Sequence, residues 1–210
     1  MPKLRVHNIT VSVDGYAAGP RQCLEHPLGE GFEGMHEWMF AAMRDLADGK
    51  GGIDVEYVER SEENIGATIM GRNMFGPRRG PWEDESWTGW WGPNPPYHND
   101  VFVHTHHLRP SVVMEGGTTF HFTDEPVETV LARAFEAAAG KDVRIGGGPA
   151  TVQQYLRAGL LDELHLAVVP RLLGRGERLL DNLGDGIDGY RVAELVGSAA
   201  TATHVRLVRR

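Results

Sequence analysis

Cysteine is nearly absent: Cys23 is the single thiol in 210 residues. One thiol excludes an intrachain disulfide and leaves no pair of cysteines for a zinc ribbon. No apolar run approaches the roughly 18 residues that would read as a membrane span. The start, Met1-Pro2-Lys3-Leu4-Arg5, lacks the apolar stretch of a secretory signal. Basic charge is also scarce, with 21 Lys and Arg against 29 Asp and Glu, a net charge of −8. Such a chain repels polyanions, so nucleic-acid or membrane binding would need a local basic patch. The basic positions that cluster, Arg78-Arg79 and Arg206, Arg209 and Arg210, read as solvated surface. A cytoplasmic protein with a small-molecule partner is expected, and neither a nucleic-acid nor a membrane partner.

Glycine, by contrast, is in excess: 27 of 210 residues, about 13% against a usual level of about 7%. With apolar residues at 41%, the chain can still build a core. No repeat and no shift of composition divides it, so residues 1–210 read as one domain. Periodicity predicts a strand over Leu4 to Val13, closed by the Asp14-Gly15 turn, and a helix over Glu33 to Asp45. A short helix over Val55 to Asn64 and a buried strand over Ala67 to Met70 follow. Residues 76–99 form a long Gly/Pro/Trp loop. Strands are expected over Val101 to Thr105, Ser111 to Met114, Phe120 to Phe122, Asp142 to Ile145 and Leu164 to Val169. Helices are expected over Pro126 to Ala139 and Ala150 to Ala158. Arg191 to Val196 and Thr201 to Val208 read as a closing antiparallel hairpin. Alternating strands and helices imply an α/β layer fold with a largely parallel sheet.

Three strand ends carry residues suited to phosphate. Val143-Arg144-Ile145-Gly146-Gly147-Gly148-Pro149-Ala150-Thr151 is a strand, a triple glycine and a helix start, where free N–H groups and a partial positive charge favour an anion. It is not the G-x-G-x-x-G of a standard dinucleotide fold; the competing reading is a plain structural turn. In Ile69-Met70-Gly71-Arg72-Asn73-Met74, glycine frees the backbone and a guanidinium can clamp phosphate. His104-Thr105-His106-His107-Leu108-Arg109 invites a zinc reading, but no matching Cys or Glu pair lies nearby. Anion contact by Thr105, His106 and Arg109 fits better, and no metal is expected. In open α/β sheets, ligands bind at the carboxyl ends of strands. Three such loops at one edge point to a phosphorylated nucleotide.

The sequence resembles the dihydrofolate-reductase-like superfamily, in the bacterial branch that includes the C-terminal reductase domain of the bifunctional riboflavin-biosynthesis deaminase–reductase. The marks are Val11-Ser12-Val13-Asp14-Gly15-Tyr16-Ala17-Ala18-Gly19, Met70-Gly71-Arg72, Thr105-His106-His107, Ile145-Gly146-Gly147-Gly148 and Leu161-Asp162-Glu163-Leu164-His165-Leu166 before Pro170. The resemblance implies a three-layer fold, with a mostly parallel mixed sheet, helices on both faces and a C-terminal antiparallel hairpin. It also implies NADPH as cofactor. Arg72 and Asn73, after Gly71, would lie beside the adenosine and pyrophosphate phosphates, and Thr105 and His106 at the 2′-phosphate. Gly147, Gly148, Ala150 and Thr151, after Ile145, would take the pyrophosphate side. Ala17 and Ala18 would face the nicotinamide ribose.

On the substrate side, folate reductases grip the pteridine with a carboxylate early in the first helix. Here the candidates are Glu33 and Glu37, each read either as that group or as part of a solvated helix face. Asp14 is either ligand-facing or a turn residue. Trp82, Trp87, Trp90 and Trp91 crowd one loop, as a lid on a flat heterocycle, a subunit contact or plain packing. A homodimer is expected, as in the related families. The function expected is NADPH-dependent reduction of a pteridine- or pyrimidine-type heterocycle, as for 5-amino-6-(5-phosphoribosylamino)uracil in riboflavin biosynthesis. The competing readings are dihydrofolate reduction and a non-catalytic NADP-binding module.

Overall fold

The computed structural model describes residues 1–83, 86–184, 187–198 and 202–210. In chain order the elements are β1 (Leu4–Ser12), β2 (Tyr16–Ala18), α1 (Glu37–Ala47), α2 (Ile53–Glu62), β3 (Ile65–Gly71), α3 (Arg72–Phe75), β4 (Asp100–His104) and β5 (Val112–Val113). They continue as β6 (Thr119–Thr123), α4 (Val127–Ala137), β7 (Asp142–Ile145), α5 (Pro149–Arg157), β8 (Glu163–Val169), β9 (Glu177–Arg178), β10 (Tyr190–Gly197) and β11 (Thr203–Arg209).

One sheet runs in the order β10-β11-β8-β1-β7-β3-β4-β6-β5. The strands from β8 to β6 are mutually parallel. The β10–β11 hairpin and β5 flank them antiparallel. Parallel strands are stable only when both faces are covered, and they are covered here. On one face α4 and α5 bury Val130, Leu131, Ala134, Val152 and Tyr155 against Leu4, Val6, Ile69, Val143 and Leu164. On the other, α1 and α2 bury Trp38, Ala42, Val55 and Val58 against Ala167 and Val169 of β8. Leu164 and Leu166 thus face one layer of helices, and Ala167 and Val169 the other, as the two-residue period of a strand requires. The result is the three-layer α/β architecture with an antiparallel C-terminal hairpin. Among the described residues, no helix is long and apolar enough to cross a membrane.

Several expected boundaries move for local reasons. The first helix begins at Glu37, not Glu33, because Gly34 takes φ 76° and residues 33–36 form turns. The second ends at Glu62; Asn64 lies in the left-handed region at φ 59°. The expected start of the last strand, Thr201, lies outside the described residues. A short two-stranded ribbon, β2 with β9, escaped the sequence reading.

Strand β1 carries the feature that most shapes the site. Its register with β8 slips between Val6 and Ile9, and Asn8 takes φ 57°. The slip is a β-bulge, which adds one residue and inverts the alternation beyond it. Leu4 and Val6 therefore share a face with Ile9 and Val11. Thr10 lies on the opposite face, where its hydroxyl accepts from Trp38 Nε1 at 2.9 Å.

Candidate active site

Because β3, β4 and β7 run parallel, their carboxyl ends share one sheet edge, and a cavity of about 900 Å³ opens there. Its floor is built from the glycines. Gly71 N–H donates to Gly147 O at 2.8 Å, and Gly146 N–H to Ile69 O at 2.8 Å, so the end of β3 and the turn after β7 are stitched together. Gly147 takes φ 115°, a conformation reserved in practice for glycine. A Cβ on Gly148 would meet nothing within 4 Å, leaving this backbone bare toward the cavity. Helix α5 starts here, with Gly148 as N-cap, Pro149 in its first turn and no acidic residue in that turn. The Gly148 carbonyl accepts from the Thr151 and Val152 N–H groups at 3.1 and 3.2 Å.

On the β3 side, Arg72 stands with its Cζ 3.3 Å from the centre of the Trp82 ring. Its Nε and Nη1 have no hydrogen-bond partner, and it pairs with no carboxylate among the described residues. Burial, helped by the nearby Arg109 charge, lowers this guanidinium to about 10. A half-buried cation with no counter-ion among the described residues is costly, so the arrangement favours an anion at this place. Asn73, beside it, accepts from Arg79 through its amide oxygen at 2.8 and 2.9 Å.

Of the residues singled out in the sequence for a nucleotide, all but Arg109 line this one cavity. Ala17 and Ala18 come from β2, and Gly71, Arg72 and Asn73 from the end of β3. Thr105 and His106 follow β4, and Ile145, Gly147, Gly148, Ala150 and Thr151 come from β7 and α5. Their contributions differ. The Thr105 hydroxyl accepts from His107 N–H at 3.1 Å, so it shapes its own turn, while His106 stands exposed at the rim. Arg109 does not line the cavity; its Nη2 donates to Trp87 O at 2.8 Å and its guanidinium lies over Trp82 and Phe122. His104 points to the Tyr155 hydroxyl at 2.9 Å. Among the described residues, no group of three or more His, Cys, Asp or Glu is placed to hold a metal ion.

None of the three candidate carboxylates lines the cavity. Asp14 accepts from the Ser12 hydroxyl at 2.6 Å and from the Leu173 and Gly174 N–H groups at 3.1 and 2.7 Å. These bonds, that from Ser12 foremost, hold its carboxyl at about 2. Asp14 thus ties the first turn to the loop after β8. Glu33 pairs with His26 and Glu37 with Arg44, both on the surface. The group that does face the cavity from this region is His36, the N-cap of α1, with Met39 and Phe40 beyond it. It lies between the Phe32 and Phe40 rings, at 5.5 and 6.4 Å, and burial pushes its imidazole down to about 4. His36 is therefore neutral at physiological pH. Helical spacing places residues 33 and 37 on one side of a continuous helix; the turn at Gly34 rotates His36 inward instead, which the sequence pattern does not reveal. Asn8, Gln22 and Arg178 also line the cavity and were missed. Asn8 depends on the bulge, and Arg178 on the small β2–β9 ribbon.

The tryptophan loop is packed rather than open. Trp82, Trp87 and Trp91 lie against the Met70, Phe75, Val101, Val103 and Phe120 cluster. Trp82 Nε1 donates to His107 O at 2.6 Å and Trp87 Nε1 to Phe75 O at 2.9 Å, so the indole N–H groups are satisfied. Trp90 stands edge-on to Trp87, and Trp91 also reaches the cavity.

A nine-stranded mixed sheet between two helical layers, with its cavity at the triple-glycine edge, defines a dihydrofolate-reductase-like fold. Dihydrofolate reductase from Enterococcus faecalis, complexed with NADP(H) and RAB-propyl, superposes with TM-score 0.52 at 15% identity, over 99% of this chain and 96% of that one. The chain belongs to the RibD C-terminal domain family, whose model matches residues 2–203. A putative riboflavin biosynthesis protein from Shewanella sp. PV-4 is similar over 99% of both chains, at TM-score 0.65 and 22% identity. The diaminohydroxyphosphoribosylaminopyrimidine deaminase/5-amino-6-(5-phosphoribosylamino)uracil reductase from Thermotoga maritima matches at TM-score 0.61 and 13% identity; this chain covers 57% of it. No curated protein matches the sequence.

Proposed function

We propose that this protein is an NADPH-dependent reductase of a pyrimidine- or pteridine-type heterocycle, of the kind represented by 5-amino-6-(5-phosphoribosylamino)uracil. The observation that carries the reading is Arg72, a half-buried cation without a carboxylate partner among the described residues, set beside a glycine cradle at the edge of the cavity. The residues present fit a dinucleotide. Arg72 and Asn73 would meet its phosphates, the bare backbone at Gly147 and Gly148 and the acid-free start of α5 its pyrophosphate, and Ala17 and Ala18 its ribose. His106 at the rim would take the 2′-phosphate. When bound, the cofactor supplies the hydride.

His36 supports a neutral substrate edge. A carboxylate at this place would favour a cationic, amidine-like edge such as a protonated pterin offers. A neutral imidazole presents one donor and one acceptor, which suits an uncharged amide edge. Met39 and Phe40 beside it supply apolar surface for a flat ring. Holding that ring is the work of orientation rather than of chemistry at His36 itself.

The test is NADPH oxidation with a ribosylaminopyrimidine and, separately, with dihydrofolate. Turnover of the pyrimidine in preference to dihydrofolate supports the reading. Preference for dihydrofolate would point to folate reduction, and NADPH binding without turnover of either to a binding module.

A further inference from the structure

On the sheet face away from the glycine cradle, a chain of hydrogen bonds runs from the cavity wall toward the surface. Asn8 N–H, in the bulge of β1, donates to His165 Nδ1 at 3.0 Å. His165 Nε2 meets His204 Nδ1 at 3.0 Å, and His204 Nε2 meets Asp54 Oδ1 at 2.6 Å. Both imidazoles are fully buried, whereas Asp54, in the first turn of α2, keeps 15% of its side chain exposed. The Tyr57 ring lies flat over both imidazoles, 4.1 and 4.2 Å from their centres, and the Trp38 edge closes on His204 at 5.2 Å.

The polarity of this chain is fixed from its far end. A carboxylate only accepts, so His204 must carry its proton on Nε2. Its Nδ1 is then an acceptor, and His165 must donate from Nε2. That leaves His165 Nδ1 bare, the one form that can accept from the Asn8 N–H. Had either imidazole a second proton, or the other tautomer, two hydrogens would face each other at one link. An unpaired N–H would follow on Asn8, a residue already held at φ 57°.

We propose that Asp54 is a positioning residue: through the tautomers of His204 and His165 it holds the Asn8 bulge, and with it the segment His7 to Thr10 that lines the cavity. The segment is pinned on either side of the bulge as well, by His7 Nε2 to Glu163 Oε1 at 2.8 Å and by Thr10 to Trp38. The Asn8 link is the one whose direction depends on a group remote from the cavity. The part of this inference that concerns ligand affinity rests on the cofactor reading above; the part that concerns tautomers does not.

The experiment combines nitrogen-labelled NMR of the two imidazoles, amide exchange at Asn8 and NADPH titration, on wild type, Asp54→Ala and Asp54→Asn. Wild type should show both histidines as Nε2–H tautomers. Asp54→Ala should raise Asn8 exchange roughly tenfold and weaken NADPH by about three- to tenfold. Asp54→Asn should return both to within about twofold, because its amide oxygen still accepts. An Nδ1–H tautomer at either histidine in wild type overturns the proposal, even if Asp54→Ala fails to fold. So does an Asp54→Ala protein with wild-type Asn8 exchange, or an Asp54→Asn protein as impaired as Asp54→Ala. If wild type binds no NADPH, the cofactor reading fails, while tautomers and Asn8 exchange still decide this proposal.

Discussion

Gly71 and Thr151 are in such close approach that a Cβ added to Gly71 would lie 2.4 Å from the Thr151 hydroxyl oxygen. Gly71 itself has φ −83°, which any residue tolerates, so the demand for glycine here comes from contact and not from backbone conformation. Gly71→Ala should therefore push the end of β3 away from α5. We expect a loss of about 2 kcal/mol in stability, in the range for overpacking, and a clear fall in NADPH affinity. The Thr151 Cβ would lie at an ordinary 3.7 Å. Gly71→Ala combined with Thr151→Ala should recover part of the stability in thermal denaturation. Equal instability of the single and double variants would contradict the contact argument.

Arg72 sets stability against binding. Its guanidinium is half-buried without a counter-ion among the described residues, so Arg72→Met should leave the melting temperature of the free protein unchanged or higher. The same change should cost roughly tenfold or more in NADPH affinity, the usual scale for losing hydrogen bonds to a charged group. The loss for NADPH should exceed that for NADH. Calorimetric titration with both nucleotides, alongside a melt without ligand, checks all three.

Asp14 gives a pH signature. Its carboxyl lies at about 2 in the folded protein, against a usual 3.8, with the Ser12 hydroxyl the main cause. A lowered folded value means that the unfolded chain binds the proton first. Stability is thus fully present above about 3.8 and is lost as pH falls toward 2. Asp14→Asn should flatten that part of the acid denaturation curve and lower stability at neutral pH. NADPH affinity should stay within about twofold, since Asp14 does not line the cavity. A large loss of affinity would restore the ligand-facing reading of Asp14.

His36 should act on turnover rather than on cofactor binding. His36→Phe keeps a flat ring and removes the donor and acceptor, so turnover should fall by roughly tenfold or more with NADPH affinity little changed. With its imidazole near 4, His36 has no ionisation near neutrality. The wild-type rate should show no step from this group between pH 5 and 8, near which an ordinary histidine titrates. A step there that disappears in His36→Phe would contradict a neutral His36.

Much of the cradle was legible because its signals are local. A strand, a run of glycines and a helix start occur within ten residues at Val143 to Val152, and Gly71-Arg72 follows directly on a buried strand. The bulge left a trace that went unread: Leu4 and Val6 are even-numbered, whereas Ile9 and Val11 on the same face are odd. Other features are non-local. His165 meets His204 across 39 residues, and Asp54 meets His204 across 150, so no pattern in either segment announces them. The first helix misled because Met35, Trp38, Met39 and Ala42 keep helical spacing through a turn, with one glycine marking the break. That shift put weight on Glu33 and Glu37 and hid His36.

The central claim is that the cavity holds NADPH, and a thermal melt of the wild-type protein with saturating NADPH or NADH tests it most directly. At 100 times its dissociation constant, a ligand that binds only the folded state adds about 2.7 kcal/mol of stability. The account predicts a clear upward shift with NADPH, larger than with NADH and strongly reduced in Arg72→Met. No shift with either nucleotide would contradict it.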